Sequence, residues 1–377
     1  MALDIICCGD LVLDEPDPDH WLAGIAPALR AASLAIGHLE VPHTRRGKEL
    51  SADVPAPGAP PEHLSALSRA GVDAVTLAGN HIADCGAEGI HDTLAALEHN
   101  GIAHTGAALT LGLARAPAWL ESGGVRVALL SYNCVGPEQS WATQSSAGCA
   151  YIRVTPDGGG AIAPAANLRH PDPNSVALMA EDVGKARDGG ADVCIVALHK
   201  GIVHIPARLA PYERPLAWAA VDAGADVVIG HHAHILRGFE FYRGRPIFHG
   251  LGNGCVVMRA LSPDQSHPSR AAWARRRREL FGFEPDPAYT LAPFHPEAVH
   301  NLLARLVFDG ASLVATGFVP LHFEPPGRPL LATGAAAEAV RQYVLRICHD
   351  AGLPPPHLTV TDEMVQIEES HVEQYSP

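Results

Sequence analysis

The chain has 377 residues, with 27 Lys and Arg against 41 Asp and Glu and a formal net charge of −14. An acidic chain lacks the broad basic face that a nucleic-acid backbone demands, so no nucleic-acid partner is expected. Apolar residues make up 47% and charged residues 18%, which excludes a disordered chain, and no run approaches the roughly 18 apolar residues of a membrane span.

The opening MALDIICCGD has no positive n-region, so a cytosolic chain without signal peptide or membrane anchor is expected. Residues 3–8 read as a strand ending in Gly9-Asp10, residues 21–31 as a helix, and 34–39 as a strand ending at Glu40. A Pro-initiated helix follows over 61–70, then a strand over 73–77 that runs into Ala78-Gly79-Asn80-His81. Residues 88–100 predict a helix, 125–131 a strand, 176–188 a helix, and 192–198 a strand ending in His199-Lys200-Gly201. A helix over 214–223 precedes a strand over 226–229 and Gly230-His231-His232-Ala233-His234; 235–242 and 246–250 read as a hairpin. Strands alternating with helices predict an α/β architecture.

Two segments break this grammar. Residues 157–173 read as a long Gly/Pro/Ala-rich surface loop, and 261–296 as a Pro-rich insertion carrying Arg275-Arg276-Arg277-Arg278 and Phe294-His295-Pro296-Glu297. Beyond it come a returning hairpin over 301–308 and 312–319, a helix over 335–348, and a tail in the last dozen residues. With no internal repeat and no linker, one elaborated domain is expected over 1–377: a core over 1–256, an insertion over 257–298, and returning strands with a helix over 299–377.

The eight cysteines form no C-x-x-C pair and predict small buried hydrophobes in a reducing compartment. The 22 histidines are the outlier of the composition. Asp10, Glu40, Asn80-His81, His199, His232 and His234 each follow a strand-like apolar run, at the sheet edge where open α/β proteins bind ligands. Each residue alone has a bland explanation as a cap, a turn or a buried histidine, but six strand ends together point to a metal site. Carboxylate, amide and imidazole donors suit Mn, Zn or Fe, with Mg a weaker fit. His232 and His234 are two apart, and in extended backbone would point the same way.

These motifs, with His38-Leu39-Glu40-Val41-Pro42 and Arg245-Pro246-Ile247-Phe248 running to Leu251-Gly252-Asn253, resemble the calcineurin-like metallophosphatase superfamily, and within it the CapA branch associated with poly-γ-glutamate capsule synthesis. The resemblance covers roughly residues 4–256 and implies an αββα sandwich of two mixed sheets flanked by helices. It implies one or two divalent ions held by Asp10, Glu40, Asn80, His199, His232 and His234, with His81 beside them as an acid or transition-state donor and His231 one layer behind. The chain departs from the branch in His38 for Asn, in His199-Lys200-Gly201 for His-Trp-Gly, and in the inserted segment. Lys200, with His204 nearby, is a candidate for binding an anionic substrate, or a solvated lysine; Arg275 and Arg276 are either carboxylate anchors or part of a solvated helix face.

Three functions follow from the resemblance. One is hydrolysis of a phosphoester or an amide such as poly-γ-glutamate. The second is the chemistry of soluble CapA-like lasso-peptide epimerases, which invert the C-terminal residue of a ribosomally made precursor. Asp10 and His295 would then be the two-base pair, a role for Asp10 that competes with tight metal ligation. The third is a capsule biosynthesis factor with a vestigial site. The substrate expected is a peptide or another anionic molecule; oligomeric state is not legible.

Overall fold

Two sheets stacked face to face, with helices on their outer faces, place all the strand ends named above on one edge. The structure, a computed structural model, describes residues 2–47, 49, 54 and 56–369. The larger sheet has ten strands. Its parallel part runs Asn253–Val257, Leu3–Leu13, Leu34–Leu39, Ala74–Thr76 and Ala103–Thr105, and the antiparallel pair His300–Asp309 and Ser312–Glu324 extends it past the first half of Leu3–Leu13. The smaller sheet has six strands, with Val125–Asn133, Val193–His199, Val227–His231 and Arg245–Phe248 parallel at its centre.

The period-2 alternation of the strands builds the layers. Leu3, Ile5 and Cys7 of the first strand share one buried cluster with Val127, Leu129, Val193, Ile195, Val227 and Ile229 of the other sheet. The alternate residues Ile6 and Cys8 face helix residues Leu22, Ile25, Leu64 and Leu67, while Leu130 and Val196 face Met179, Val183 and Ala217. The fold is therefore an αββα sandwich. The helix Pro173–Asp188 shows why such segments start where they do: Asp172 accepts a bond from the Ser175 backbone N–H at 2.8 Å, and Pro173 occupies the first turn.

Several elements differ from expectation for tertiary reasons. The helix expected over 21–31 is two short helices, Pro18–Leu22 and Ala26–Ala31, parted around Gly24, where a side chain would meet the Pro329 carbonyl. The expected loop over 157–173 contains the strand Leu168–Pro171, paired with Val154–Pro156. The expected tail begins inside a strand, Val365–Glu368, which pairs with His357–Val360 and Ser312–Glu324; residues 370–377 lie outside the described residues. All eight cysteines are free and buried, and burial pushes the Cys7 and Cys194 thiols up to about 12, as inert packing residues require. No helix among the described residues is long and apolar enough to cross a membrane.

Close backbone approach holds the functional edge together. Asp10 donates its backbone N–H to the Gly252 carbonyl at 3.0 Å, and a Cβ on Gly9 would run into that carbonyl. Gly9→Ala is expected to cost about 1–3 kcal/mol or more in urea unfolding. Gly184→Ala, in open space on the helix Pro173–Asp188, is expected to stabilise by up to about 1 kcal/mol in the same measurement.

Candidate metal centre and substrate cavity

The first strand is irregular at Asp10, with register shifts on both sides that leave it beside His38 and Asn253. Such bulges re-aim side chains. Donor atoms of Asp10, His38 and His199 all lie within 4.8 Å of one another, and so do those of Asp10, Glu40 and His234. Asp10 belongs to both groups, and these side chains together would hold one or two divalent ions. The fit to a cation is carried by orphaned atoms: both Asp10 oxygens, Glu40 Oε1, His38 Nε2 and His199 Nδ1 are buried with no hydrogen-bond partner. Each such group left unsatisfied costs about 1–3 kcal/mol, and their convergence is explained by an ion that all of them share. Carboxylate and imidazole donors together suit Mn, Zn or Fe.

Electrostatics point the same way. His234 lies 3.4 Å from Asp10 and 3.3 Å from Glu40. Burial alone would lower its imidazole, but the two carboxylates raise it to about 9. Burial would raise Glu40, yet charged His234 holds it at about 2. Burial, then the charge of Glu40, drives Asp10 well above the usual carboxylate range. One imidazolium thus faces two buried carboxyl groups, and the burial and repulsion that raise Asp10 are a penalty that a divalent ion would relieve. Burial takes His38 down to about 4, and burial plus neighbouring imidazoles hold His199 and His231 well below their ordinary value. Neutral imidazoles are the form that ligates metal.

The remaining predicted ligands stand around these groups. Asn80 Oδ1 lies 2.7 Å from His199 Nε2, and the His232 ring is 4.8 Å from that of His199. His232 and His234 converge for a different reason than expected. Their φ values are 90° and 54°, so they sit on a left-handed turn and not in extended backbone. Sequence reasoning passed over His38 and Asn253. His38 stacks between His199 and His231 at 4.7 Å from each, and Asn253 Oδ1 meets His234 Nδ1 at 2.9 Å. The signal for His38 was its spacing of two from Glu40, which in a strand places both on one face.

A cavity of about 330 Å³ opens onto Asn80, His81, His204, His232 and His234. Its far wall is apolar, with Leu261, Trp273, Leu280, Phe281 and Phe294, and two arginines, Arg276 and Arg277, also face it. His81 Nδ1 is 2.6 Å from Asp84 Oδ2, which leaves Nε2 as its proton-exchanging nitrogen. His204 takes φ 58°, stacks 5.5 Å from His234 and meets Phe281 edge-on at 4.8 Å.

Two expected substrate residues, Lys200 and Arg275, are corrected, while a third, Arg276, does line the cavity. Lys200 has a fully buried side chain, paired with Glu213 at 2.8 Å and donating to the His249 carbonyl at 3.1 Å; a buried ammonium needs those partners, and none of it faces the cavity. Arg275 is exposed and lies outside the cavity lining, reaching only toward the Pro263 carbonyl at 3.4 Å. Arg276 faces the cavity but is already paired with Glu279 at 2.8 Å. His295 and Asp10 are not in contact. His295 lines a small recess with Asn253 and Phe294, and its Nδ1 accepts the Glu297 backbone N–H at 3.2 Å.

Replacing His234 with Ala or Asp10 with Asn is expected to remove bound metal, read by elemental analysis; full content in both variants would refute the centre. Ion binding must displace the His234 proton, so apparent Mn²⁺ affinity is expected to rise about tenfold per pH unit from about 6.5 up to about 9. In the metal-free protein the stabilisation from charged His234 is full below about 6.5 and lost as pH rises through about 9. Thermal melts across that range read the loss.

The model of the bacterial capsule synthesis protein PGA_cap family matches residues 4–256. The chain is 29% identical over 248 residues to the capsule biosynthesis protein CapA of Bacillus anthracis, covering 64% of this chain and 55% of that one. It is 32% identical over 198 residues to a "probable polyglutamine synthesis accessory protein" of Mycobacterium tuberculosis, covering 51% of this chain and 47% of that one. The chain thus spans about half the length of these curated relatives. Among solved structures, the calcineurin-like phosphoesterase YfkN of Bacillus subtilis aligns over 93% of this chain and 99% of that one, at 11% identity and a TM-score of 0.37. With the family match spanning the whole of the strand-end donor set, the chain belongs to the bacterial capsule synthesis protein PGA_cap family.

Proposed function

We propose that the chain is a metal-dependent enzyme acting on a peptide, and that it inverts the Cα of an apolar C-terminal residue in a ribosomally made precursor such as a lasso peptide. The observation that carries this reading is an aromatic and aliphatic cavity that opens onto His81, His232 and His234, the last of them beside the carboxylates Asp10 and Glu40. Burying one large apolar side chain there gains about 1.5–3 kcal/mol. Glutamyl units of a poly-γ-glutamate chain would instead set carboxylates against Leu261, Trp273 and Phe281, where most would lack partners.

Glu40, Asn80, His199, His232 and His234, with His38, would hold the ion, and Asp10 would be released from tight ligation to serve as a base. When bound, it would supply Lewis-acid polarisation of a carbonyl or carboxylate oxygen. The proton-transfer groups in this reading are Asp10 and His295. Asn253 stands in register beside Asp10 and also lines the recess of His295, so one residue joins the neighbourhoods of the two groups. The Glu297 N–H on His295 Nδ1 fixes the resting tautomer with a proton on Nε2, and the ring becomes the acid when Nδ1 takes up a second proton in place of that bond. Asp10 takes the Cα proton, the C–H electron pair moves onto the carbonyl oxygen, and His295 Nε2 returns a proton from the other side.

Metal-assisted hydrolysis is a second reading, favoured by the His81–Asp84 pair, which is built to protonate a leaving group.

Peptides with C-terminal Trp, Phe or Leu, incubated in deuterated water with Mn²⁺-loaded protein, are expected to gain one deuterium at Cα and D-configuration without cleavage. His295→Ala is expected to slow this by about 10²–10⁴-fold, while His81→Ala retains exchange. Cleavage without exchange, abolished in His81→Ala, would replace epimerisation by hydrolysis.

A further inference from the structure

The inserted segment carries a buried cation that meets no acid among the described residues. Arg277 is 3% exposed and lies within the cavity lining. Its Nη1 donates to the Pro293 carbonyl, while Nε and Nη2 are buried with no hydrogen-bond partner. No carboxylate among the described residues pairs with it; its other neighbours are the rings of Trp273 at 5.0 Å and of Phe281 and Phe294 at 6.0 Å. Burial alone draws its guanidinium down to about 9. A buried cation with unpaired donors is costly, and the ring faces recover only part of that cost.

The orphaned edge has a definite shape. Nε and Nη2 form the side-on fork that matches the two oxygens of a carboxylate. Elsewhere in this molecule the same edge holds acids: Arg115 reaches Asp182 through Nε and Nη2 at 2.8 Å each, and Arg259 reaches Glu15 at 3.0 and 2.8 Å. At Arg277 the fork is present and the acid is missing. Phe294 ties this position to the metal centre. Its ring is 4.8 Å from that of His234 and 6.0 Å from the Arg277 guanidinium, so the two groups are no more than 10.8 Å apart. That gap suits a small ligand with an anionic end and an apolar body against Trp273 and Phe281.

We infer that Arg277 is the substrate's anion anchor, taking a carboxylate through its Nε–Nη2 fork while Trp273, Phe281 and Phe294 take the adjoining apolar side chain. The identity of the carboxylate as a peptide's C-terminus rests on the peptide reading above; the fork does not.

The test is calorimetric binding of N-acetyl-tryptophan, its carboxamide and phenyl phosphate to the full chain, metal-stripped and Mn²⁺-loaded. The acid is expected to bind at least about tenfold tighter than the amide, in both metal states. That preference is expected to fall within about twofold in Arg277→Gln, to be mostly lost in Arg277→Lys, which keeps charge without the fork, and to persist in Arg278→Gln. Equal binding of acid and amide by the wild type overturns the proposal. So does a preference that survives Arg277→Lys, disappears with the metal, or is abolished by Arg276→Gln instead. Tighter binding of phenyl phosphate than of the acid would overturn the carboxylate assignment. Acid–amide discrimination without Cα exchange would remove epimerisation and leave the anchor; exchange without discrimination would do the reverse.

Discussion

Two buried carboxylates, Asp10 and Glu40, confront each other at the edge of the larger sheet, and much of the site is arranged around the positive charge they require. Among the described residues neither forms an ion pair with a lysine or arginine, and the partner both meet is His234. A protein that needed only stability would replace such a pair with apolar residues, since a buried ionic cluster seldom exceeds well-packed hydrocarbon in stability. Keeping them means delivering them on rigid strands, with Gly9 and Gly252 allowing backbone contact directly beneath, and surrounding them with imidazoles that burial keeps neutral. The resulting edge buries polar atoms without partners, a cost that a bound cation would offset.

The legible part of this design was local. An apolar run followed by a ligand-type side chain can be read from the chain, because a parallel strand exposes its carboxyl end to the ligand edge. Asp10, Glu40, His199 and His234 were legible in that way and do come together. What was illegible depended on distant partners. Lys200 follows His199 directly, yet its side chain belongs to Glu213 and His249 in the opposite direction. The break at Gly24 is imposed by a strand more than three hundred residues later in the chain. Of four consecutive arginines, only the bend at Arg276, between two short helices, decides that Arg277 turns inward while Arg275 and Arg278 stay in water.

The division between family core and added segment is also a division of labour. Every donor of the metal groups lies within residues 4–256, the stretch the family model matches. The apolar wall and the arginines facing it, from Leu261 to Phe294, all follow that stretch. The donors that would hold a polarising cation thus lie in one part of the chain, and the apolar wall and arginines of the cavity in another. The family match rests on the first part alone, so it bears on the metal donors and not on the apolar wall.

Phe294 is where the two parts meet. It stacks on His234, lies within reach of Arg277, and walls both the cavity and the recess of His295. An aromatic ring in that position couples the parts without charge: it excludes water from the carboxylates, which strengthens every electrostatic interaction beneath it, and gives an apolar side chain a face to lie against. A polar residue there would leave the metal donors unchanged and still disable selection, because the charged ends of the site would be rejoined by solvent. Geometry at one ring therefore sets how a generic metal centre is turned into a specific one.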